Sequence, residues 1–246
     1  MMGAFAFFCA LVLSLPEEVA GDGPRCRPFS GIYENGRDLC EKMWGEAFFY
    51  EVDETQAYTM WFAGHSNPND LVTARLGKQV PETCLIQYFH RDKPDRVGTL
   101  LRNHACPPWQ KHGCCRPEAV ASANVLKQAY GRNYEWDRCG PLQPSCEAFF
   151  VQEACFYECD PNVGLYRKFP EAVYDPRCDT KSNAFNATFA ADAGCKHNSW
   201  EIHRLPIKAS YCDAWFEACK EDFFCATEGG NYFSCAMHWS AHDAEL

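Results

Sequence analysis

Seventeen cysteines in 246 residues constrain this chain more than any other feature. One of them, Cys9, falls in an apolar N-terminal run, which leaves sixteen between Cys26 and Cys235. An even, dense set of thiols behind a secretory-looking start reads as eight disulfides made in an oxidising compartment. Bridges at that density hold short elements and long loops that helix packing alone cannot hold. Zinc is the rival reading of so many cysteines. Paired Cys-x-x-Cys knuckles are missing, however, and secreted thiols oxidise, so no metal is expected.

Residues Ala4 to Leu15 form an apolar run too short to span a bilayer. Pro16 and a small-residue site follow, with Val19 and Gly21 at suitable −3 and −1 positions. Residues 1–21 are therefore expected to be a signal peptide and the product soluble and secreted. The end, His238 to Leu246, carries no hydrophobic tail for a lipid anchor, and its closing Asp-Ala-Glu-Leu only loosely echoes a retention signal. Residues 22–246 run without a Pro/Ser/Gly linker or charged tract, which favours one domain. A formal net charge of −10 argues against nucleic acid or an anionic membrane as partner, since either requires a basic face. Asn186-Ala187-Thr188 is a glycosylation acceptor and places that loop at the surface.

Periodicity predicts several helices held by cystines. One starts at Ser210-Tyr211-Cys212-Asp213, like a capping box, and puts Cys212, Trp215, Phe216 and Cys219 on one face. Pro117 and Glu118 open a second, with Val120, Ala123, Leu126 and Tyr130 in a stripe ending near Gly131. A third runs from about Ser145 to Glu158 with Phe149, Phe150, Ala154 and Cys155 inward, and Asp70 to Leu76 makes a short fourth. Frequent Pro and Gly elsewhere imply short strands and long loops.

The cysteine order carries a resemblance. Cys106-Pro107-Pro108-Trp109, Cys114-Cys115, Trp136, Cys139-Gly140, Pro144-Ser145-Cys146 and Gln152-Glu153-Ala154-Cys155-Phe156-Tyr157-Glu158-Cys159-Asp160-Pro161-Asn162 follow one another. Tyr211-Cys212-Asp213-Ala214-Trp215-Phe216-Glu217-Ala218-Cys219 comes later. In that order they resemble the folate receptor and riboflavin-binding protein family. The family's remaining landmarks come first here, as Cys26-Arg27-Pro28-Phe29, Leu39-Cys40 with Trp44, and Met60-Trp61-Phe62 with Asn67-Pro68-Asn69. The chain so reads as a circular permutant, with 22–76 the moved segment, 77–83 a new linker and 84–246 the body. Permutation is physically cheap when the parent termini lie close together.

The resemblance implies a disulfide-rich α+β fold, mostly α, and a set of bridges: Cys84–Cys114, Cys106–Cys155, Cys115–Cys159, Cys26–Cys139, Cys146–Cys219, Cys40–Cys212 and Cys225–Cys235. One family bridge has lost both halves, at Lys208 and Ala57. The surplus Cys178 and Cys195 flank an inserted loop and are paired with each other. Function in such proteins is the binding of a flat heterocyclic vitamin, of the folate or riboflavin class, between aromatic rings, with polar groups reading its edge. Carried over by position, the rings are Trp44, Tyr157 and Trp200, with Arg204 from the basic cluster and Glu153 as the carboxylate. Tyr232 and Phe233 remain from a shortened aromatic loop.

Departures from the family pattern include Glu201 in place of a basic residue and Ala47 in place of a serine, so a flavin fits at least as well as folate. A protein-recognition or adhesion module that has lost the small ligand is the alternative. Nothing points to an enzyme or to a cofactor. His65, His90, His104, His197 and His203 are scattered, and no nucleophile motif is present.

Overall fold

The computed structural model describes residues 25–62, 66–85, 90–97, 105–129, 135–168, 177, 186–188, 201–226 and 230–232. The signal-peptide expectation, Trp200, Phe233 and Cys178, Cys195 and Cys235 lie outside them. The fold is mixed and mostly helical. Three two-stranded ribbons flank the helices: β1 (Arg25–Pro28) pairs antiparallel with β6 (Phe223–Ala226), β2 (Phe48–Glu51) parallel with β5 (Leu205–Lys208), and β3 (His90–Asp95) antiparallel with β4 (Gly113–Cys115).

Among the helices, α1 (Gly36–Lys42) starts where the Asn35 side chain accepts from the Asp38 amide at 3.0 Å. The second, α2 (Pro68–Arg75), combines an Asn67 cap on the Asn69 amide with proline in its first turn, and so begins two residues before the Asp70 expected from periodicity. The helix expected from Pro117 to Gly131 is split into a 3-10 turn (Pro117–Val120) and α3 (Ala123–Ala129). Ser122 explains the break: its hydroxyl oxygen accepts from the Val125 amide at 3.3 Å and starts a new helix. The 16-residue α4 (Pro144–Cys159) and α5 (Ala209–Cys219) fall within a residue of expectation. The capping box expected at Ser210 is not formed by a side chain of α5 itself. The Ser210 amide donates instead to Glu54 Oε1 at 3.2 Å, an acceptor from the 48–60 region.

The helices pack around aromatic rings. Phe150 of α4 touches Phe29, Trp136, Trp215 and Phe224, all fully buried. Gly36 sits where α1 crosses α5, and a Cβ there would stand 2.5 Å from the Asp213 amide nitrogen, so only glycine permits the approach.

Six bridges join described residues: Cys26–Cys139, Cys40–Cys212, Cys84–Cys114, Cys106–Cys155, Cys115–Cys159 and Cys146–Cys219. These are six of the pairs that the resemblance implies. Cys225 is also disulfide-bonded. No helix among the described residues is long and apolar enough to cross a membrane.

Two disulfides tie residues 25–76 to the rest of the chain, and a hydrogen-bond network joins them there as well. Asp160, fully buried, accepts five hydrogen bonds. Oδ2 takes Asn67 Nδ2 at 2.9 Å, Asn69 Nδ2 at 2.7 Å and Trp109 Nε1 at 3.1 Å. Oδ1 takes the Asn162 amide and Asn162 Nδ2, each at 2.9 Å. The Asn67-Pro68-Asn69 and Asp160-Pro161-Asn162 motifs thus face each other in one network, which Thr73 extends by donating to Asn162 Oδ1 at 2.6 Å.

Candidate functional site

Helical spacing puts Phe150, Glu153, Ala154 and Tyr157 on one stripe of α4. Glu153 is 4% exposed, although a carboxylate in the middle of a helix usually faces water. Its charge acts on three phenols. Burial chiefly raises the pKa of Tyr157, Tyr211 and Tyr232, and the Glu153 carboxylate adds to the rise at each, after Glu158 at Tyr157 and Glu135 at Tyr232, so all three hydroxyls stay protonated.

Trp44 reaches the same region from the turn after α1. It is buried and meets Tyr232 edge-on at 4.7 Å between ring centres, with Phe150 behind it at 6.5 Å. Gly45 follows in the left-handed region, φ +66°, where a Cβ would lie 3.2 Å from Asn231 Nδ2. Glycine here lets the 44–46 turn lie against residues 230–232. Tyr232 stacks on Phe224 at 5.6 Å, and its amide donates to Met43 O at 2.8 Å. The Tyr33 hydroxyl, donating to Gly230 O at 2.6 Å, fixes the same short segment.

The expected site residues divide as follows. Trp44 and Tyr232 are in direct contact, and Glu153 lies within electrostatic range of Tyr157 and Tyr232. Tyr157 is half-buried, one turn beyond Glu153. Arg204 is exposed, with a left-handed φ of 50° and its guanidinium carbon 4.8 Å from the Phe49 ring centre. Its link to the cluster is through the backbone: the Arg204 amide donates to Glu46 O, two residues after Trp44, at 2.7 Å. Asn186 is exposed.

One residue escaped the sequence reading. Arg138, beside the Cys26–Cys139 bridge, lies with its guanidinium carbon 5.7 Å from the Tyr232 ring centre. It is close enough to oppose the rise in that phenol's pKa. No motif marks it; an arginine next to a cysteine reads as a surface residue.

A second feature lies on another side of α4. Trp61, Phe62, Pro107, Pro108, Ala148 and Val151 line an open groove of about 490 Å³, with Trp61 68% exposed at its rim.

The sequence profile of the folate receptor family matches residues 83–244, more than half of the chain. The chain belongs to that family. It is 25% identical to folate receptor gamma of Homo sapiens over 180 residues, covering 70% of this chain and 60% of the relative. It is 24% identical to folate receptor alpha of Bos taurus over 177 residues, with 67% and 63% covered. To the riboflavin-binding protein of Gallus gallus it is 31% identical over 146 residues, with 58% and 48% covered. The chain thus spans about half to three-fifths of the length of these relatives.

Proposed function

We propose that this protein is a secreted binding protein for a flat heterocyclic ligand of the folate (pterin) or riboflavin class, and not an enzyme. Trp44, Tyr157, Tyr232 and Trp200 supply the aromatic surfaces, Glu153 accepts hydrogen bonds from the ring edge, and Arg204 stands at the outer end. The observation that carries the reading is Glu153, a carboxylate only 4% exposed, near the phenols of Tyr157, Tyr211 and Tyr232. Aromatic faces with a few convergent polar groups suit a flat, polar-edged ring. The names of the relatives, folate receptors and a riboflavin-binding protein, support the same ligand class.

Residues 1–21 are proposed as a signal peptide, Asn186 as glycosylated, and 22–76 as a segment moved ahead of the 84–246 body through the 77–83 linker. The family profile starts at residue 83, which is where that reading puts the join.

Titration with folate, riboflavin and related heterocycles, read by tryptophan fluorescence, tests the function, because a ring stacked near Trp44 quenches it. Glu153→Gln keeps the shape and turns one acceptor into a donor, so it is expected to change which heterocycle binds best. If no heterocycle alters the fluorescence of the parent protein, the reading is wrong. The second reading, a protein-recognition module, then takes its place, favoured by the exposed Trp61 beside the open groove.

A further inference from the structure

A disulfide exchanges when a thiolate reaches one of its two sulfurs, so access decides which bridges open. Burial separates the bridges of this protein. Among the described residues every bridged cysteine is buried except two, and those two are paired with each other: Cys26 is exposed and Cys139 half-buried. Cys225 shows how local the difference is. It is the register partner of Cys26 across the β1–β6 ribbon and is bridged too, yet it is only 3% exposed.

The topology accounts for the exposure. Strand β1 pairs with β6 alone in a two-stranded ribbon, and Arg27, next to Cys26, is exposed as well. The space beside Cys139 is also open: Gly140 follows at φ +115°, and a Cβ built there would meet no atom within 4 Å. Cys40–Cys212, the other bridge between residues 25–76 and the rest of the chain, is the opposite case, with both cysteines fully buried. The Asp160 hydrogen bonds hold the same segment without any sulfur. Opening Cys26–Cys139 therefore leaves the segment attached in two other ways.

We propose that Cys26–Cys139 is a thiol-exchange site, at which a low-molecular-weight thiol of the glutathione kind forms a reversible mixed disulfide while the buried bridges stay closed. The incoming thiolate attacks Cys26 Sγ, the more accessible sulfur. A new S–S bond forms there, the Cys26–Cys139 bond breaks, and its electron pair leaves on Cys139 as a thiolate. The attacking thiol is oxidised and Cys139 is reduced, so the electrons balance without a further reagent. Return of the Cys139 thiolate onto the mixed disulfide expels the small thiol and restores the original bridge. Nothing in this chemistry requires a bound heterocycle.

The test incubates the native, oxidised protein with reduced glutathione at neutral pH and quenches samples at intervals with excess iodoacetamide. Peptide mass mapping should then find glutathione on Cys26 and the carbamidomethyl group on Cys139. This bridge should open at least about tenfold faster than any of the other five bridges between described residues, because a buried bridge reacts only after the fold opens around it. Circular dichroism of the same samples should not change while it exchanges. The double variant Cys26→Ser, Cys139→Ser, still held by Cys40–Cys212, should lack the fast phase.

Opening of a buried pair at the same rate would overturn the proposal. So would opening of Cys26–Cys139 only together with loss of the circular dichroism signal, which would make the bridge purely structural. Glutathione on Cys139 in place of Cys26 would overturn the choice of attacked sulfur. A fast phase that survives in the double variant would put the exchange elsewhere and sink the site. Should that variant not fold, the mapping on the parent protein decides alone.

Discussion

Replacing Asp160 by alanine is expected to be among the most damaging single changes in this protein, although the residue lies outside the proposed site. Its five accepted hydrogen bonds separate into two kinds. Asn67 is half-buried and can turn its amide to water. Four donors have no such escape. Trp109 Nε1 is on a side chain 1% exposed and the Asn162 amide is on a residue fully buried. Asn69 Nδ2 and Asn162 Nδ2 keep Thr59 O and Asp70 Oδ1 for one hydrogen each but lose the acceptor for the other. At about 1–2 kcal/mol for each stranded buried donor, the loss comes to about 6 kcal/mol, a large part of the ~5–15 kcal/mol that holds an ordinary domain.

Guanidinium unfolding of the oxidised protein, followed by tryptophan fluorescence, reads this directly. Asn67→Ala is the internal control and should cost less than about 1 kcal/mol, since its donor reaches solvent. Asp160→Asn should fall between, because it keeps one acceptor oxygen and turns an N–H toward donors at the other position. If Asp160→Ala loses less than about 1 kcal/mol, or if Asn67→Ala costs as much, the stranded-donor reasoning is refuted.

Two further outcomes are expected. His90 is buried, its Nε2 is 3.2 Å from Tyr157 O, and its pKa is held down at about 4, first by burial and then by the Arg116 charge. The unfolded chain takes up this proton near pH 6.5 and the folded chain only near 4, so stability should fall as the pH drops through that window, by about 3 kcal/mol, and level off below it. Urea midpoints from pH 7 to pH 4 check this, and His90→Asn should flatten the slope; an unchanged slope contradicts the assignment. Proteolytic cutting within 77–83 should leave two pieces joined through Cys26–Cys139 and Cys40–Cys212 until reductant is added. Separation without reductant would show that residues 25–76 are not held as described.

What the sequence makes legible here is local or carried by cysteine order. Helices α4 and α5 lie within a residue of their expected bounds, because long apolar stripes with a proline start or paired cysteines leave little freedom. Shorter elements were misjudged where a single side chain decides: Ser122 restarts a helix that periodicity alone would continue. The burial of Glu153 had a signal, since it shares a stripe with Phe150, Ala154 and Tyr157. The Asp160 network had none. Its motifs were visible, but hydrogen bonds between residues 91 and 93 positions apart follow from tertiary packing, not from any local pattern. Arg138 is the extreme case: its approach to the Tyr232 ring, 5.7 Å from guanidinium carbon to ring centre, is a property of the assembled core alone.

The proposed site joins two stretches of chain far apart in sequence. Trp44 comes from residues 25–62, whereas Glu153, Tyr157 and Tyr232 come from the region after residue 83. Neither stretch alone would hold the tryptophan against Tyr232. The contact needs α1 fixed on α5, which the Cys40–Cys212 bridge and the glycine at position 36 provide, and β1 fixed on β6, beside the Cys26–Cys139 bridge. The Asp160 network adds a third attachment at the opposite end of residues 25–76, and Asp160 caps the C-terminus of α4. With three attachments spread along the segment, its position is set by contacts and covalent bridges, whichever end of it the chain enters. In physical terms, this is what lets the proposed permutation keep the site: the order of the pieces changes, while the bonds that bring Trp44 to Tyr232 do not depend on that order.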